Sequence, residues 1–568
     1  MKHLLSLLFI VATISLQAQD QFTLISNTNV IDVATGKVTM LASVLIKNGV
    51  VEEVFTDKKM KLPPNTQVID GTSKFVIPGM TDAHVHFFQS GGLYTRPDVF
   101  DFTSLVPFTE ERRKTDSYTE DFMRRYLRMG ITTVADVGGP MKNFQVREAA
   151  RKNPVAPTVL ATGPLFSMVE RKQLDVGDPP IIKTTSIAEA DVLMDKLLAQ
   201  KPDYIKIWYI VTPDLPADKT FPVVQHIAKR THGAKLKLAV HATQMKTAEL
   251  AVDAGADILV HSVDDQVVTD QFVKKLADKK VSYIPTLIVY KGYTTARSGK
   301  LAHHPLDLNF ANPFAYGSLS DPEHMKELPE SFKRARAEQS GLKDPRDSIM
   351  ANNLRKIFAA GINVVAGTDA GNVGTMHASS FIQELIAMKG AGLSNAEILK
   401  TATLNSALCF NQNTGAITKG KTADLVVLTE NPLGDLSNLT KAEYVLKSGR
   451  ILKADTLIKE SPEMIVQRQV NAFNARNEDA FGDTYHYAAR LSDFPNFQRS
   501  IGDKPVRESY GQMFKQVPDL HGEIVKRIVM GKTVIDHERV RINGKYVEGI
   551  TIYQIFEGKI HEVTFMDK

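Results

Sequence analysis

Between residues 80 and 410 the chain alternates short apolar runs with longer amphipathic stretches. Eight runs have the length and residue types of buried strands, namely 81–87, 131–137, 157–163, 204–210, 237–242, 257–262, 282–289 and 362–369. The stretches between them, such as SIAEADVLMDKLLAQ and NNLRKIFAAG, place apolar residues at helical spacing. Eight strands alternating with helices over roughly 330 residues favour an α/β fold of the (β/α)8 TIM barrel type. A doubly wound open sheet is the alternative.

Both flanks of this insert carry β-branched runs and hairpin turns instead. Asn48-Gly49 favours a two-residue hairpin between LIK and VVEEV, and the runs ADLVVL and AEYVLKSGRIL follow the insert. Neither flank has enough strands to form a stable sheet alone. We therefore predict one composite β-sandwich from residues 19–78 and 412–457, with residues 79–411 forming the barrel.

Two further segments differ in character from the barrel. Residues 462–568 begin with a helical stretch and continue as long alternating strands, which predicts an independent α+β domain. The stretch from Thr294 to Lys343 is long, polar and rich in Pro, His and Asn. Because it follows the seventh strand, we expect it to be a loop over the C-terminal mouth of the barrel, where active sites are built.

The first 18 residues are typical of a secretory signal peptide. Lys2 gives a basic start, an apolar run extends from Leu4 to Leu16, and the small residue Ala18 precedes a polar one. At thirteen residues the run is too short to span a bilayer, and a buried N-terminal helix is the alternative. We expect cleavage near Ala18, a secreted or periplasmic protein, and no membrane partner after the signal is removed.

Charge and cysteine content limit the chemistry of the chain. A net charge of +5 over 568 residues is too small for a nucleic-acid-binding surface, so we expect no nucleic-acid partner. The single cysteine, Cys409, excludes an intramolecular disulfide and a cysteine-based zinc site. Any transition metal must therefore rely mainly on the 15 histidines and on carboxylates.

Four histidines and one aspartate fall at the ends of predicted strands. His84 and His86 alternate along strand one and so share a face. His241 ends strand five, His261 ends strand six and Asp369 ends strand eight. Because the carboxyl ends of barrel strands form one rim, these side chains should converge and suit zinc, which prefers nitrogen and oxygen ligands. Unrelated structural histidines are the alternative.

Lys206 lies in the run YIKIWYI on strand four. Alternation turns Ile205 and Ile207 toward the helices, so the Lys206 side chain should point into the barrel. Burial lowers the pKa of a lysine and leaves a neutral amine. Such an amine could add carbon dioxide and become an anionic carbamate, whereas a lysine paired with a core carboxylate is the alternative.

Together these motifs resemble the metal-binding strands of the amidohydrolase superfamily. The resemblance rests on VIPGMTDAHVHF, DYIKIWYI, LAVHAT, ILVHS and AGTDAG in that order, and on the β-rich flanks, over roughly residues 22–456. It points to the binuclear branch that contains imidazolonepropionase-related proteins and prolidase-like dipeptidases. The tail, residues 462–568, is similar to the ketosteroid-isomerase-like (nuclear transport factor 2-like) cone fold.

The resemblance implies two divalent cations, most simply Zn²⁺, although Mn, Co or Fe suit the same donors. The histidines of strand one and the aspartate would hold one cation, those of strands five and six the other, and a carbamylated lysine would bridge the two. The implied ligands are His84, His86, Lys206, His241, His261 and Asp369. Asp369 would also act as the catalytic general base and then acid.

Four further residues are candidates for contact with the substrate. Arg96 follows strand one, where a guanidinium could bind a carboxylate with two hydrogen bonds, and Tyr94 lies beside it. Tyr290 follows strand seven and could donate to a carbonyl oxygen, and His377 lies on the eighth loop. A surface arginine, a packed tyrosine and a solvated histidine are the alternatives.

The resemblance therefore implies a secreted hydrolase that cleaves C–N amide bonds of small, dipeptide-like molecules, such as Xaa-Pro or Xaa-Arg, by a hydroxide shared between two metals. Lactones, cyclic amides and other heterocycles are alternative substrates for the same metal core. A binding scaffold with structural metals, or a catalytic site in the tail, would give the chain a different function. We expect the tail to bind substrate or mediate dimerisation, and the chain to form a homo-oligomer.

Overall fold

The computed structural model of the chain describes residues 20–56, 61–299, 301, 303–338 and 345–567. The predicted signal peptide, residues 1–18, lies outside the described residues. Within the described residues, every helix is too short or too polar to cross a membrane.

The strands are given first, in chain order. They are β1 (Phe22–Asp32), β2 (Lys37–Lys47), β3 (Val50–Thr56), β4 (Gln67–Asp70), β5 (Phe75–Pro78), β6 (Met80–Val85), β7 (Ile131–Asp136), β8 (Thr158–Ala161), β9 (Leu165–Ser167), β10 (Ile181–Lys183), β11 (Ile205–Trp208), β12 (Leu238–His241), β13 (Ile258–Val260), β14 (Ser282–Ile284), β15 (Leu425–Leu428), β16 (Ala442–Lys447), β17 (Arg450–Lys453), β18 (Tyr485–Asp493), β19 (Phe497–Ile501), β20 (His521–Met530), β21 (Thr533–Ile542), β22 (Lys545–Phe556) and β23 (Lys559–Asp567).

The α-helices follow the same order. They are α1 (Phe108–Arg128), α2 (Asn143–Lys152), α3 (Ile187–Ala199), α4 (Ala217–Gly233), α5 (Met245–Ala254), α6 (Asp270–Asp278), α7 (Val289–Ser298), α8 (Pro305–Phe310), α9 (Pro313–Gly317), α10 (Glu330–Glu338), α11 (Pro345–Ala359), α12 (Ser379–Gly390), α13 (Asn395–Ala402), α14 (Leu404–Cys409), α15 (Pro462–Asn474), α16 (Glu478–Gly482) and α17 (Asp503–Gln516). Short 3-10 helices span Leu93–Thr95, Lys172–Leu174, Ser318–Glu323, Leu436–Thr440 and Ala454–Thr456.

The two flanks of the barrel form one β-domain, as the sequence predicted. Hydrogen bonds join their strands in the order β17-β16-β15-β5-β1-β2-β3, with β4 also paired to β1. An antiparallel bridge between Val50 and Thr422 brings the start of β3 against the segment before β15, so the sheet folds back on itself. The expected sandwich is thus a single folded sheet, which encloses its own apolar core.

The central insert is the predicted barrel. Strands β6–β8 form one parallel sheet, and β10-β9-β11-β12-β13-β14 form another. The eighth strand, expected at 362–369, is an irregular segment that closes the ring through hydrogen bonds to both neighbours. On one side the Val365 N–H donates to the Tyr283 carbonyl at 2.9 Å, and on the other the Asp369 N–H donates to the His84 carbonyl at 2.7 Å.

The expected loop from Thr294 to Lys343 is largely helical in its described part. The end of α7, then α8, α9, the 3-10 helix Ser318–Glu323 and α10 occupy it. Two of the prolines that suggested a loop, Pro305 and Pro313, stand at first helical positions, where a missing N–H costs nothing. Asn312 caps α9 by accepting hydrogen bonds from the N–H groups of Phe314 and Ala315 at 3.1 Å. The prediction of a loop was therefore wrong for most of this segment.

The tail is an α+β unit in which α15–α17 pack on a sheet of order β19-β18-β23-β22-β21-β20. Its core is continuous with the helical segment at the barrel rim, since Leu308, Tyr316 and Leu319 belong to the same apolar cluster as Val466 of α15. The Asn471 side chain also donates to the Pro313 carbonyl at 2.7 Å. The tail therefore packs against the helical segment that lies beside the mouth of the barrel.

Candidate metal centre and its cavity

A cavity of about 430 Å³ lies at the C-terminal ends of the barrel strands. Its lining includes all six residues that the sequence suggested as metal ligands: His84, His86, Lys206, His241, His261 and Asp369. They come from β6 and the residue after it, β11, β12, the residue after β13 and the irregular eighth segment. Parallel strands arranged in a ring bring these distant parts of the chain to one rim.

Three of these side chains form a compact group of potential ligands. The Nε2 atoms of His84 and His86 lie 3.3 Å apart. Oδ1 of Asp369 lies 3.3 Å from Nε2 of His84 and 2.9 Å from Nε2 of His86. Their ligand atoms all lie within 4.8 Å of one another, so His84, His86 and Asp369 form a site that could hold a divalent cation.

The hydrogen bonds of His86 prepare it as a ligand. Its Nδ1 lies 2.7 Å from the Gly138 carbonyl oxygen. A carbonyl can only accept, so Nδ1 carries a proton and donates it, and Nε2 is turned toward the Asp369 carboxylate. This arrangement matches the way a metal-binding histidine donates its other ring N–H to a fixed acceptor.

Lys206, His241 and His261 form the other half of the group. The ring centroids of His241 and His261 lie 4.4 Å apart, and those of His84 and His261 lie 4.9 Å apart. Lys206 is only 2% exposed, and its Nζ has no hydrogen-bond partner among the described residues. A buried ammonium without an acceptor is costly. Conversion of the amine to a carbamate would remove its positive charge.

The electrostatics of the site favour neutral ligands. Burial lowers the pKa of Lys206 to about 7, although the Asp369 carboxylate opposes the shift. Burial and the neighbouring Lys206 hold the pKa of His84 and of His241 well below the usual range. For His261 the causes are burial and the adjacent His241. At neutral pH these imidazoles keep their lone pairs free for a cation.

Asp369 is positioned by a residue that the sequence reasoning missed. Asn372 donates from Nδ2 to Oδ1 of Asp369 at 2.7 Å. Its own Oδ1 accepts from Nη1 of Arg96 at 2.7 Å and from the Tyr293 hydroxyl at 2.6 Å. Asn372 follows Asp369 by three residues in GTDAGN, and this proximity in sequence was the available signal.

Of the residues suggested for the substrate, Arg96 and Tyr290 line the cavity. The guanidinium of Arg96 is engaged by both oxygens of Asp98 at 2.7 Å, besides Asn372, so it is committed to neighbours rather than to a free ligand. The ring of Tyr290 lies 3.5 Å from the guanidinium carbon of Arg346.

Tyr94 and His377 are not among the residues that line the cavity. The Tyr94 hydroxyl donates to Oδ2 of Asp321 at 2.5 Å, which ties the loop after β6 to the rim segment. His377 is buried and stacked on Phe122, with ring centroids 4.2 Å apart. Both of its nitrogens are used, because Nδ1 accepts from the Tyr126 hydroxyl at 2.9 Å and Nε2 lies 2.8 Å from a backbone carbonyl. The structure thus gives His377 a packing role in place of the suggested contact with substrate.

A buried carboxyl group also fixes the closure of the barrel beside the site. Oδ2 of Asp82 accepts from the Thr368 hydroxyl at 2.7 Å, and Oδ1 accepts from the Thr368 N–H at 3.0 Å. Burial raises the pKa of Asp82 to about 7. Because Asp82 lies two residues before His84 and Thr368 precedes Asp369, this contact sets the distance between the two ligand strands.

Comparisons with known proteins identify the family of the chain. Residues 75–452 match the amidohydrolase family, and residues 466–563 match the SnoaL-like domain. A 5-methylthioadenosine/S-adenosylhomocysteine deaminase of Pyrococcus furiosus is 22% identical over 461 residues, covering 78% of this chain and 94% of the relative.

Two solved structures share the fold over most of the chain. A Xaa-Pro dipeptidase with bound methionine has a TM-score of 0.58 at 20% identity, covering 76% of this chain and 100% of the other. Ochratoxinase of A. niger has a TM-score of 0.59 at 17% identity, covering 77% and 97%. Since the family match spans about two thirds of the sequence, this chain belongs to the amidohydrolase family and is a hydrolase that acts on carbon–nitrogen bonds.

Proposed function

We propose that the cavity hydrolyses the amide bond of small, dipeptide-like substrates with the help of two divalent cations, most simply Zn²⁺. The observation that carries this proposal is the buried amine of Lys206, which is unpartnered within the described part of the chain. Lys206 lines the same cavity as His84, His241 and His261, and its charge lowers the pKa of all three imidazoles. A structural lysine would instead be paired with a carboxylate.

His84, His86 and Asp369 would hold one cation, and the histidines at the ends of β12 and β13 the other. Bound cations would lower the pKa of water and polarise the substrate carbonyl. Lys206 would contribute as a carbamate, formed when Nζ attacks the carbon of carbon dioxide and releases a proton to solvent. The carbamate would supply anionic oxygen donors beside the imidazoles, which an unmodified lysine lacks.

The remaining steps belong to the side chains. Asp369 takes a proton from the attacking water and passes it to the leaving nitrogen, because its carboxylate faces the cavity beside both ligand groups. Asn372 donates to one carboxylate oxygen and so fixes the direction in which the other can accept a proton. Tyr290, which lines the cavity after β14, is placed to donate to an oxygen of the substrate.

Xaa-Pro and Xaa-Arg dipeptides are the substrates that we propose first. The cavity of about 430 Å³ has room for a dipeptide, and one structural neighbour is named a Xaa-Pro dipeptidase. The deaminase relative, which covers most of the chain, favours a second candidate, hydrolysis of a C–N bond in a heterocycle. Residues 1–18 support export, and N-terminal sequencing of the recovered protein should start near Gln19 if the signal is cleaved.

The test is a substrate screen on the full chain with and without a chelator. We expect turnover of at least one Xaa-Pro, Xaa-Arg or cyclic-amide substrate, loss of turnover on chelation, and recovery with Zn²⁺ and bicarbonate. Lys206→Met should lower kcat/KM at least about 100-fold and reduce bound metal. Lys237→Met removes a lysine whose Nζ donates to the Cys409 carbonyl at 2.7 Å, and it should leave both unchanged. Chelator-insensitive turnover, or turnover of lactones alone, would contradict the proposal.

A further inference from the structure

One cation in the wall of the cavity lacks a counter-ion within the described ranges. Arg297 lies in the last turn of α7, the helix that presents Val289, Tyr290 and Tyr293 to the same cavity. Its Nε is buried and has no hydrogen-bond partner among the residues that the structure describes. The contact shown for its guanidinium is with the ring of Phe100, whose centroid lies 5.3 Å from Cζ.

The other arginines of the cavity wall are paired. Arg96 binds both oxygens of Asp98 at 2.7 Å. Arg171 lies 3.5 Å from Oδ2 of the same Asp98 and stacks over the ring of Trp208 at 5.0 Å. A single carboxylate thus serves two guanidinium groups, and no described carboxylate forms an ion pair with Arg297. The wall therefore carries more positive than negative charge on this side.

Arg297 lies on the same helix as Tyr293, which is connected to Asp369 through Asn372. Tyr293 contacts Asn372 at 2.6 Å, and Asn372 in turn contacts Asp369. Arg297 follows Tyr293 by four residues, which is about one turn, or about 6 Å, farther along the helix. A substrate held at Asp369 could therefore extend along α7 and reach Arg297 with a group a few bonds away from the scissile amide.

A half-buried guanidinium with an unsatisfied donor is costly unless an anion completes it. Among anions of small substrates, a carboxylate matches the planar fork of arginine and can accept two parallel hydrogen bonds. A dipeptide carries its free carboxylate close to the amide that is cleaved. The missing counter-ion and the proposed substrate class therefore fit each other.

We propose that Arg297 binds the free carboxylate of the substrate and so selects acids over the corresponding neutral amides. The choice of a dipeptide as the ligand rests on the proposed amide hydrolysis. Binding of its carboxylate can be measured without turnover. Arg96, which the sequence suggested for this task, is occupied by Asp98 and acts on the position of Asn372 instead.

The experiment compares L-alanyl-L-proline with its C-terminal carboxamide, which keeps the scissile bond and removes the charge. For the wild type we expect a lower KM for the acid. Arg297→Met should raise the KM for the acid about 10- to 100-fold, the range for a hydrogen bond to a charged group, with little change for the amide. Arg297→Lys keeps the charge and should recover part of the preference.

Arg450→Met is the matched control, since it removes the same charge from β17, outside the cavity lining. It should change neither KM. Thermal unfolding of each variant shows that the effect does not come from lost folding. An equal loss for acid and amide in Arg297→Met, or an unchanged preference for the acid, would overturn the inference.

Calorimetric titration separates this inference from the proposed function. If neither ligand is hydrolysed, yet the wild type binds the acid more tightly than the amide and Arg297→Met does not, the carboxylate subsite stands and the proposed reaction fails. Equal binding of the two ligands by the wild type, or binding of neither, overturns the subsite even where other substrates are turned over.

Discussion

Asp369 is held by its backbone as well as by its neighbours. Its φ of 63° lies in the left-handed region, which residues with a Cβ rarely adopt. The N–H donates to the His84 carbonyl at 2.7 Å, and one carboxylate oxygen accepts from Asn372. Strain of this kind persists only where the surroundings determine it, and it aims the side chain into the cavity.

Replacing Asn372 should therefore reduce activity without removing a ligand. In Asn372→Ala the Asp369 carboxylate loses a donor, and Arg96 and Tyr293 lose their shared acceptor. We expect kcat/KM or metal affinity to fall about 10- to 100-fold, as for other groups that orient metal ligands. Steady-state kinetics and metal analysis measure this.

Asn413→Ala is the control for that prediction. Asn413 is exposed and donates to the Gly420 carbonyl at 2.9 Å in the β-domain. Its replacement should leave turnover unchanged. If Asn372→Ala behaves like Asn413→Ala, the hydrogen bond to Asp369 has no role in positioning.

At the residue scale the sequence predicted the candidate ligands better than the residues around them. The six candidate side chains could be suggested because each lies near the carboxyl end of a strand and strand ends share a rim, and all six line one cavity. Asn372, Tyr293 and Arg297 were missed because their roles depend on which side of a loop or helix faces the cavity. His377 was suggested from its place after Asp369, but it is buried and stacks on Phe87 and Phe122.

At the element scale, the irregular eighth segment lies unusually close to β6. A Cβ added at Gly367 would lie 2.7 Å from Cγ2 of Ile284 and 3.0 Å from the backbone nitrogen of His84. Real Cβ atoms are rarely this close to backbone. A side chain at Gly367 would push apart the two segments that carry candidate ligands.

Gly367→Ala should move these segments apart. We expect the free energy of unfolding to fall by about 1–3 kcal/mol through overpacking, and metal content to fall with it. Denaturant titration and metal analysis give the two quantities. Gly390→Ala is the control, because Gly390 ends helix α12 and the added Cβ would meet no described atom within 4 Å beyond its chain neighbours and its own helix backbone. Equal effects of the two variants would rule out a special role for the contact at Gly367.

The helical segment after β14 shows how an element can be misjudged from composition. Proline and asparagine are common in loops, but Asn312-Pro313 is also a helix start, with a capping side chain followed by proline at the first position. Packing against α15 then stabilises a helix too short to form alone. That contact joins residues far apart in sequence, so local pattern could not reveal it.

At the scale of the whole molecule, a buried ion network joins barrel and tail. Arg125 of α1 is fully buried and donates to Glu460 at 3.0 Å. Arg468 of α15 also pairs with Glu460. Burial alone would raise the pKa of Glu460, but Arg468 and Arg125 outweigh it and hold this pKa at about 2. The carboxylate therefore stays charged far into the acid range.

Glu460→Gln should remove the negative charge that Arg125 and Arg468 share. We expect the free energy of unfolding at pH 7 to fall by about 3–5 kcal/mol, because the half-buried Arg468 loses the carboxylate that it pairs with. Arg125 keeps a second carboxylate, Asp121, at 2.6 Å. In the wild type the folded-state pKa is lowered, so this contribution is present above about pH 4.5 and is lost as the pH falls toward 2. The variant should lack that part of the pH dependence.

Denaturant titrations between pH 2 and 7 measure both effects on the full chain. Glu120→Gln is the control, since Glu120 pairs with Arg124 at 2.9 Å on the surface and its side chain is 65% exposed. It should cost less than about 1 kcal/mol. A loss of similar size for both variants, or an unchanged acid limb in Glu460→Gln, would contradict the proposed role of the network.

The sequence by itself determined the alternation of strands and helices in the barrel, the separate character of both flanks and the tail, and the side chains available to a cation. It could do so because periodicity and strand ends are local properties of the chain. Only the tertiary structure decided which neighbours surround those side chains: Asn372 at Asp369, the unpaired Arg297 of the described wall, the packed His377 and the helices that the tail supports. The contact of Asn372 depends on the conformation of a loop, and the other three depend on contacts between segments far apart in the chain. Short-range patterns carry no information about either.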